Sequence, residues 1–429
     1  MLRHALIALT LAAVACGPAL TAPPFPTATN LPATTAPTPA PQATATAPPA
    51  SPTPAPPNKL GLHLLLDDGR NVWPDEIWSA HLQAARDQLG PGGYVLELIR
   101  VDDLDITRWQ VFLDHCAALD LRPILRLATT FDRTAGYWVA PLTDPDGGYA
   151  QVARDYAAFV AGLRWPTPEH PVIVGNEPNH GDEWGGRADP AAYARFLADV
   201  ADALHAADPD VLVLNAPLDP YSPDTNGQPF NNGFTYVDSE RFLDEMRAAV
   251  PDVFKRLDAW GSHAYPTGPL ANGPWDQTFQ IDRLNGGANP NHLEPPAGLF
   301  NRGINGYAWE LFKLERLGVR DLEVWITETG WRHAETTDST ATDGGRDWPP
   351  VASIAQWIDL ALDGNGGRYP VWPETGWTPW RRDPRVRAVV FFAFNGAPRE
   401  WGHTNWLELD DAGAILGAYP LLPPRVTAP

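Results

Sequence analysis

The sequence predicts an α/β protein built as a closed (β/α)8 barrel, a TIM barrel. Three observations predict it. Between positions 59 and 429, short apolar runs alternate with helical patterns, and eight strand candidates can be read in that alternation. Polar and charged residues gather at the C-terminal ends of those runs, the face on which a barrel carries its chemistry. The segment is also long for one average domain but ordinary for a barrel with loop insertions.

The elements follow in order. Strand 1 is the Leu-rich run over 60–66, and strand 2 the apolar run over 94–100. Helix 2 covers 106–119 and carries Cys116, which reads as a core residue. Strand 3 spans 122–128 and helix 3 spans 149–163. Strand 4 is the short, β-branched stretch 172–175, entered through Pro171 and stopped by Asn176, Glu177 and Pro178. Asp189 caps helix 4 over 190–207, and Pro190 takes its first position, where a missing N–H is no loss. Strand 5 is 211–215, followed by a helix over 239–249. Strand 6 is 259–265, helix 6 is 306–317, and strand 7 is 322–328, another apolar run that ends in a glutamate. Helix 7 covers 352–362 and strand 8 covers 387–394. After Asp411 too little chain remains for a regular eighth helix.

The chain before the barrel has a different character. Residues 1–15 look like an export signal, with Arg3 as a positive start and an apolar run over 5–14 too short to span a bilayer. Ala13-Val14-Ala15-Cys16-Gly17 resembles a bacterial lipoprotein cleavage box. The resemblance implies lipid on Cys16, which anchors a protein to a membrane face without spanning it. Ala13 stands where that pattern prefers Leu, so a plain Ala-x-Ala cleavage site is the alternative. Residues 16–58 are rich in Pro, Thr and Ala, a composition that forms an extended spacer and no core. Net charge is −21, which argues against nucleic-acid partners and suits an exported, monomeric enzyme. With Cys16 in the signal, Cys116 has no intramolecular partner for a disulfide.

The polar residues at the expected strand ends define the candidate site. They are His63 and Asp67, Arg100, Arg126, Asn176 and Glu177, Asn215, His263 and Tyr265, and Glu328. Two strand-terminal glutamates far apart in sequence can face each other across a barrel mouth, the arrangement that hydrolyses a glycosidic bond. Asn176-Glu177-Pro178 and Thr327-Glu328-Thr329-Gly330-Trp331 go further. As an ordered pair they resemble the clan of retaining glycoside hydrolases on (β/α)8 barrels, clan A, with cellulase-like family 5 or family 39 members. The resemblance implies that Glu177 is the acid/base, Glu328 the nucleophile, and Asn176 the partner of the sugar 2-hydroxyl. Ser262-His263-Ala264-Tyr265-Pro266 resembles the clan's strand-6 motif, whose histidine or tyrosine bonds the nucleophilic carboxylate. Arg100 or Arg126 would hold Glu328 charged in the same way, or close a structural ion pair.

Strand 8 departs from the clan, which usually ends it with a tryptophan under the sugar. Here the run is Phe391-Phe392-Ala393-Phe394-Asn395, so Phe394 or Trp401 is the expected substitute. The chain has 18 tryptophans, many in expected loops, among them Trp138, Trp184, Trp275, Trp348, Trp372, Trp377, Trp380 and Trp406. Indole stacks on sugar C–H faces, and Trp331, beside Glu328, is the leading candidate for such a contact. No Gly-x-Ser-x-Gly elbow, His-Glu-x-x-His, paired Cys-x-x-Cys or phosphate-cradling loop is present, so no cofactor or metal is expected. His180, Asp182 and Glu183 are adjacent in a Gly-rich loop, and 338–347 is acidic; neither reads as a metal site. The competing readings are a non-catalytic surface carbohydrate-binding protein and a structural envelope protein. Both glutamates argue against the first, and the polar mouth against the second.

Overall fold

The computed structural model describes residues 57–275, 301–335, 348–364 and 378–423. Cys16, the export signal, the acidic run 338–347, Trp372 and Trp377 lie outside the described residues. Eight parallel strands close into a barrel: β1 (Leu60–His63), β2 (Gly93–Arg100), β3 (Leu121–Ala128), β4 (His170–Val174), β5 (Val211–Asn215), β6 (Ala259–His263), β7 (Glu323–Thr329) and β8 (Val386–Phe391). Each is hydrogen-bonded to its sequence neighbours, and β1 pairs with β8 to close the ring. The surrounding helices are α1 (Asp75–Leu89), α2 (Ile106–Ala118), α3 (Ala150–Gly162), α4 (Pro190–Ala207), α5 (Ser239–Ala249), α6 (Gly306–Arg316) and α7 (Val351–Asp363).

Helix α1 is absent from the expected elements although its signal is present. Trp78, His81, Leu82, Ala85 and Leu89 are buried at helical spacing behind Asp75 and Glu76. Pro74 at its N-cap offers no side-chain cap, so the usual start marker is missing. The cap of α4 is as expected, with Asp189 Oδ1 accepting from Ala192 N at 2.9 Å. Asp105 and Asp238 cap α2 and α5 in the same way. A two-stranded antiparallel ribbon, Leu407–Leu409 with Ile415–Ala418, takes the place of an eighth helix. It lies against α1, where His81 Nε2 is 2.8 Å from Gly413 O.

Strands β1, β6 and β8 end two or three residues before their expected limits; past β6 and β8 backbone bonds continue, Ala264 N to Glu328 O and Phe394 N to His63 O, whereas past β1, from Leu65 on, side chains take over from the ladder. Leu65 N donates to Asn395 Oδ1 at 2.7 Å, and Leu66 N to Glu97 Oε2 at 3.1 Å. Asn395 also holds the closing seam to α1: Trp73 Nε1 donates to its carbonyl at 2.8 Å, and its Nδ2 lies 2.8 Å from His81 Nδ1. Between β5 and β6 the strands pair at Leu214 with Ala259. Asn215 staples that join, accepting from Gly261 N at 2.9 Å and donating to Gly261 O at 3.0 Å. Asn215 therefore serves the sheet and not the mouth.

The barrel interior is apolar at its base: Tyr94, Leu96, Ile124, Ile173, Leu214, Ala259, Trp325, Ala388 and Val390 pack together there. Tyr94 meets Trp325 edge-on at 5.3 Å. A larger apolar cluster, which includes Ile326, fills the layer between barrel and helices, and Cys116 belongs to it. Trp325 thus points inward and Ile326 outward. Strict alternation would then send Glu328 outward too. An extra residue in β7 prevents this. Ile326 pairs with Ser262 but Glu328 with His263, and against β8 the register passes from Ile326 to Thr329 while β8 advances only from Val389 to Phe391. This β-bulge turns Glu328 into the barrel mouth.

Candidate active site

Above the apolar base, the inward side chains become polar, and an open cavity of about 660 Å³ stands over them. Its lining includes Arg126 from β3, Asn176 and Glu177 just past β4, Tyr265 just past β6 and Glu328 from β7. Glu177 is reached through Gly175 at φ 93°, and itself has φ 32°, a left-handed conformation that is costly for glutamate. Its N–H donates to Pro217 O at 3.0 Å and its carbonyl accepts from His180 N at 2.8 Å, which pins the turn.

The two glutamates are brought together. One oxygen of each, with a ring nitrogen of His263, all lie within 4.8 Å of one another. Arg126 Nη1 donates to Glu328 Oε1 at 2.6 Å and to Asn176 Oδ1 at 2.8 Å. The Tyr265 hydroxyl donates to Glu328 Oε2 at 2.9 Å. His263 Nδ1 lies 2.6 Å from Glu177 Oε1, with its Nε2 3.8 Å from Glu328 Oε1. The histidine therefore bonds Glu177, and the tyrosine bonds Glu328. His63, fully buried, lies 3.9 Å from Glu328 Oε1.

Burial raises both carboxyls, and the neighbours decide the outcome. For Glu328, burial is outweighed by His263, His63, Arg126 and the Tyr265 hydroxyl, which hold it well below the usual carboxylate range. Burial and Arg126 drive His63 down to about 3, and burial also lowers His263. At neutral pH Arg126 and Tyr265 are thus the groups that keep Glu328 ionised. For Glu177, burial is reinforced by Asp219 and Glu328, so it is held well above the usual range against the pull of Arg126. A protonated Glu177 beside a neutral His263 makes this short contact as an O–H donating to Nδ1.

Glu177, His263 and Glu328 also form, among the described residues, a cluster with metal-ligand spacing. Arg126 already supplies Glu328 with a permanent cation at 2.6 Å, which disfavours a metal ion beside it.

Other expected contacts are placed elsewhere. Trp331 does not face the cavity: it is 1% exposed, and its Nε1 donates to Asn272 O at 2.8 Å, while its neighbours Gly330 and Arg332 line the space. Phe394 is fully buried in the core. The aromatic that β8 presents is Phe392, 5.1 Å from the His63 ring and edge-on to Trp401 at 4.8 Å. Trp401 lines the cavity with it, as does Trp138 from the loop after β3. Arg100 is turned to the loop after β1, where it pairs with Asp67 at 3.4 Å, and it also pairs with Asp102 in the loop after its own strand at 3.5 Å. Trp184, Trp380 and Trp406 are buried, and Trp275 is exposed at the surface.

Phe392, Asp68, Asp219 and Glu183 line the cavity without having been expected there. Glu183 lies on a single 3-10 turn, Gly181–Glu183, and burial, with Glu177 nearby, pushes it up to about 7. Its signal was its place six residues after Glu177 in the same loop. His180 is turned to Asp182 and, at 3.7 Å, to Asp219.

No protein-family model and no curated protein matches the chain. Among solved structures it is similar to a glucosidase from Croceicoccus marinus, at 13% identity and TM-score 0.48, over 85% of this chain and 64% of that one. It is similar to an endo-1,4-β-mannanase from Rhizomucor miehei at 11% identity and TM-score 0.40, over 80% and 88% of the two chains. It is likewise similar to a GH53 catalytic domain from Ignisphaera aggregans at 11% identity and TM-score 0.43, over 79% and 86%. This chain spans less than two thirds of the glucosidase's own length. The (β/α)8 architecture stands on the strand order of this chain itself, a closed ring of eight parallel strands.

Proposed function

We propose that this protein is a glycoside hydrolase of the clan A type that cleaves O-glycosidic bonds in a β-linked polysaccharide or oligosaccharide with retention of configuration. The observation that carries the reading is the pair Glu177 and Glu328, with carboxylate oxygens within 4.8 Å across the mouth. Retaining enzymes place their carboxyls about 5–5.5 Å apart, whereas inverting ones leave about 6.5–9.5 Å for a water. The opposed surroundings of the two groups supply one acid and one nucleophile.

Glu328, ionised beside Arg126, attacks the anomeric carbon. Glu177 gives its proton to the leaving oxygen as that bond breaks, and a glycosyl ester forms on Glu328. Glu177, now a carboxylate, takes a proton from water. The water oxygen attacks the same carbon, and the ester bond to Glu328 breaks. Arg126 and Tyr265 then recover the free carboxylate. Asn176 accepts from Arg126 at Oδ1 and donates from its amide to Glu183, and the sugar 2-hydroxyl is the further partner assigned to that amide. Phe392, Trp401 and Trp138 offer stacking faces.

The test is a screen of purified protein on β-linked polysaccharides and aryl glycosides, with NMR of the first anomer released. The expected result is a retained anomer. An inverted first product, or no cleavage across the panel, would remove the reading.

We further propose that the folded part is exported and held at the cell envelope by lipid on Cys16. Among the described residues, no helix is long and apolar enough to cross a membrane. Mature protein should partition with membranes and Cys16→Ala should release it; identical soluble secretion of both forms would exclude the lipid.

A further inference from the structure

The mouth holds a carboxylate that the two-glutamate mechanism does not use. Asp219 stands in the loop after β5 and lines the cavity with Glu177. The loop is tied to the segment that carries Glu177. Glu177 N donates to Pro217 O at 3.0 Å. Asn179, fully buried, makes a reciprocal pair with the Asp219 backbone, donating to its carbonyl at 2.9 Å and accepting from its N–H at 2.9 Å. Ser222 Oγ donates to Asn179 O at 3.0 Å. On the other side, the Tyr221 hydroxyl donates to Tyr265 O at 3.2 Å, and Arg302 Nε to Pro220 O at 2.8 Å. The carboxylate is itself aimed: Tyr221 N donates to Asp219 Oδ1 at 2.8 Å. The loop cannot swing without breaking bonds on both flanks, and what those bonds fix is a negative charge beside Glu177.

We propose that Asp219 is a positioning residue for Glu177, a fixed carboxylate that opposes a second negative charge beside it and so keeps the proton on the acid. The inference rests on the acid/base reading of Glu177. The groups that face Glu177 come from every side. They are Arg126 from β3, His180 and Glu183 from its own loop, His263 and Tyr265 from the end of β6, Glu328 from β7, and Asp219. Burial lowers both histidines toward the neutral form. The charge on Glu328 is matched by Arg126 at 2.6 Å. Among the described residues, the basic group within ion-pair distance of Asp219 is His180, at 3.7 Å. Arg302, bonded to Pro220 O, is a buried cation within electrostatic reach of Asp219, but among the described residues it forms no ion pair with it. Asp219 thus lacks the direct guanidinium contact that Glu328 has. After burial, it is also the strongest influence that raises Glu177.

The experiment is a titration of protein labelled with carboxyl-¹³C glutamate, with the Glu177 signal assigned by its loss in Glu177→Gln. Asp219→Asn keeps an acceptor for Tyr221 N and removes the charge. Asp219→Ser is a second neutral variant, and Asp219→Glu restores the charge. The Glu177 midpoint should fall by about one pH unit in both neutral variants and recover in Asp219→Glu. The basic limb of kcat/KM on a glycoside with a poor leaving group should fall by the same amount, while glycosylation by a dinitrophenyl glycoside stays nearly unchanged. An unmoved Glu177 midpoint in folded Asp219→Asn or Asp219→Ser, judged by near-UV circular dichroism, would overturn the proposal. A shifted midpoint in a protein without glycosidase activity would instead retire the acid/base reading and leave the hold of Asp219 on Glu177 standing.

Discussion

The carboxyl ends of β4 and β7 carry the same residue type in opposite surroundings. Glu177 stands on a left-handed turn just past its strand, with Asp219, Glu183 and a neutral His263 around it. Glu328 is still within its strand, turned inward by a bulge, with a guanidinium and a phenol on its two oxygens. Burial pushes both toward the neutral form. Only at β7 do the neighbours reverse it. The difference teaches that the placement of one arginine and one tyrosine, against one aspartate, sets one glutamate toward the charged form and the other toward the neutral form, the division that the proposed mechanism needs.

The largest break in that comparison is at β7. Glu328→Gly should lose turnover of a natural glycan by roughly a million-fold, the scale on which covalent nucleophiles are missed. Azide should restore some turnover of an activated glycoside and leave an azide of inverted configuration. Near wild-type rates in Glu328→Gln would sink the assignment. At β4 the loss should be smaller and depend on the leaving group. Glu177→Ala should cost about two to four decades on a natural glycan and much less in glycosylation by a dinitrophenyl glycoside. The glycosyl-enzyme should then accumulate as a burst, and azide should drain it with retention. Equal losses on both leaving groups, without a burst, would make Glu177 structural.

Arg126→Ala tests the source of the asymmetry. It should cost roughly 3–5 kcal/mol near pH 7, because a buried carboxylate loses its cation. The sign with pH follows from the direction of each shift. In the wild type Glu328 is depressed, so its contribution to stability is present above the unfolded value and is lost as pH falls through the folded one. Without Arg126, burial raises Glu328, and stability is lost as pH rises above the unfolded value. The deficit of the variant in denaturant melts should therefore be larger at pH 7 than at pH 4; an equal deficit at both would mean that Arg126 acts by packing alone. The smallest effects separate stacking from support. Phe392→Ala or Trp401→Ala should raise KM about tenfold with little change in stability. Trp331→Ala should lower stability by roughly 3–5 kcal/mol and leave KM near wild type. The reverse pattern would return Trp331 to the sugar.

The ring of strands was legible in the sequence because parallel strands are buried on both faces and read as apolar runs with polar ends. Glu177 and Glu328 were legible for the same reason, being the residues on which such runs stop. The direction of a loop side chain has no such period. Trp331 and Phe392 show this: one follows Glu328 closely but turns into the core, and the other lines the cavity in place of its neighbour Phe394. The bulge that aims Glu328 is equally silent, because its evidence is a register against β6 and β8. Asp219 was hidden in a loop of ordinary polar composition, and what sets it in place is Asn179, 40 residues away in sequence. Helix α1 was the one element missed with its apolar spacing in plain view.

The seam between β1 and β8 bears on how the chain comes to be made. Asn395 bonds Leu65 across 330 residues, and β1 has β8 as its second neighbour. At about 5–20 residues per second, that partner emerges roughly 15–65 seconds after β1. For all of that time β1 is an open edge, a template on which another chain can pair. Closure is also a distant contact, so it comes late in folding as well as late in synthesis. A chain cut before Val386 keeps two bare edges, at β1 and β7. The final barrel strand thus shields the first from its neighbours in the cell, apart from the aromatic face it lends to the cavity.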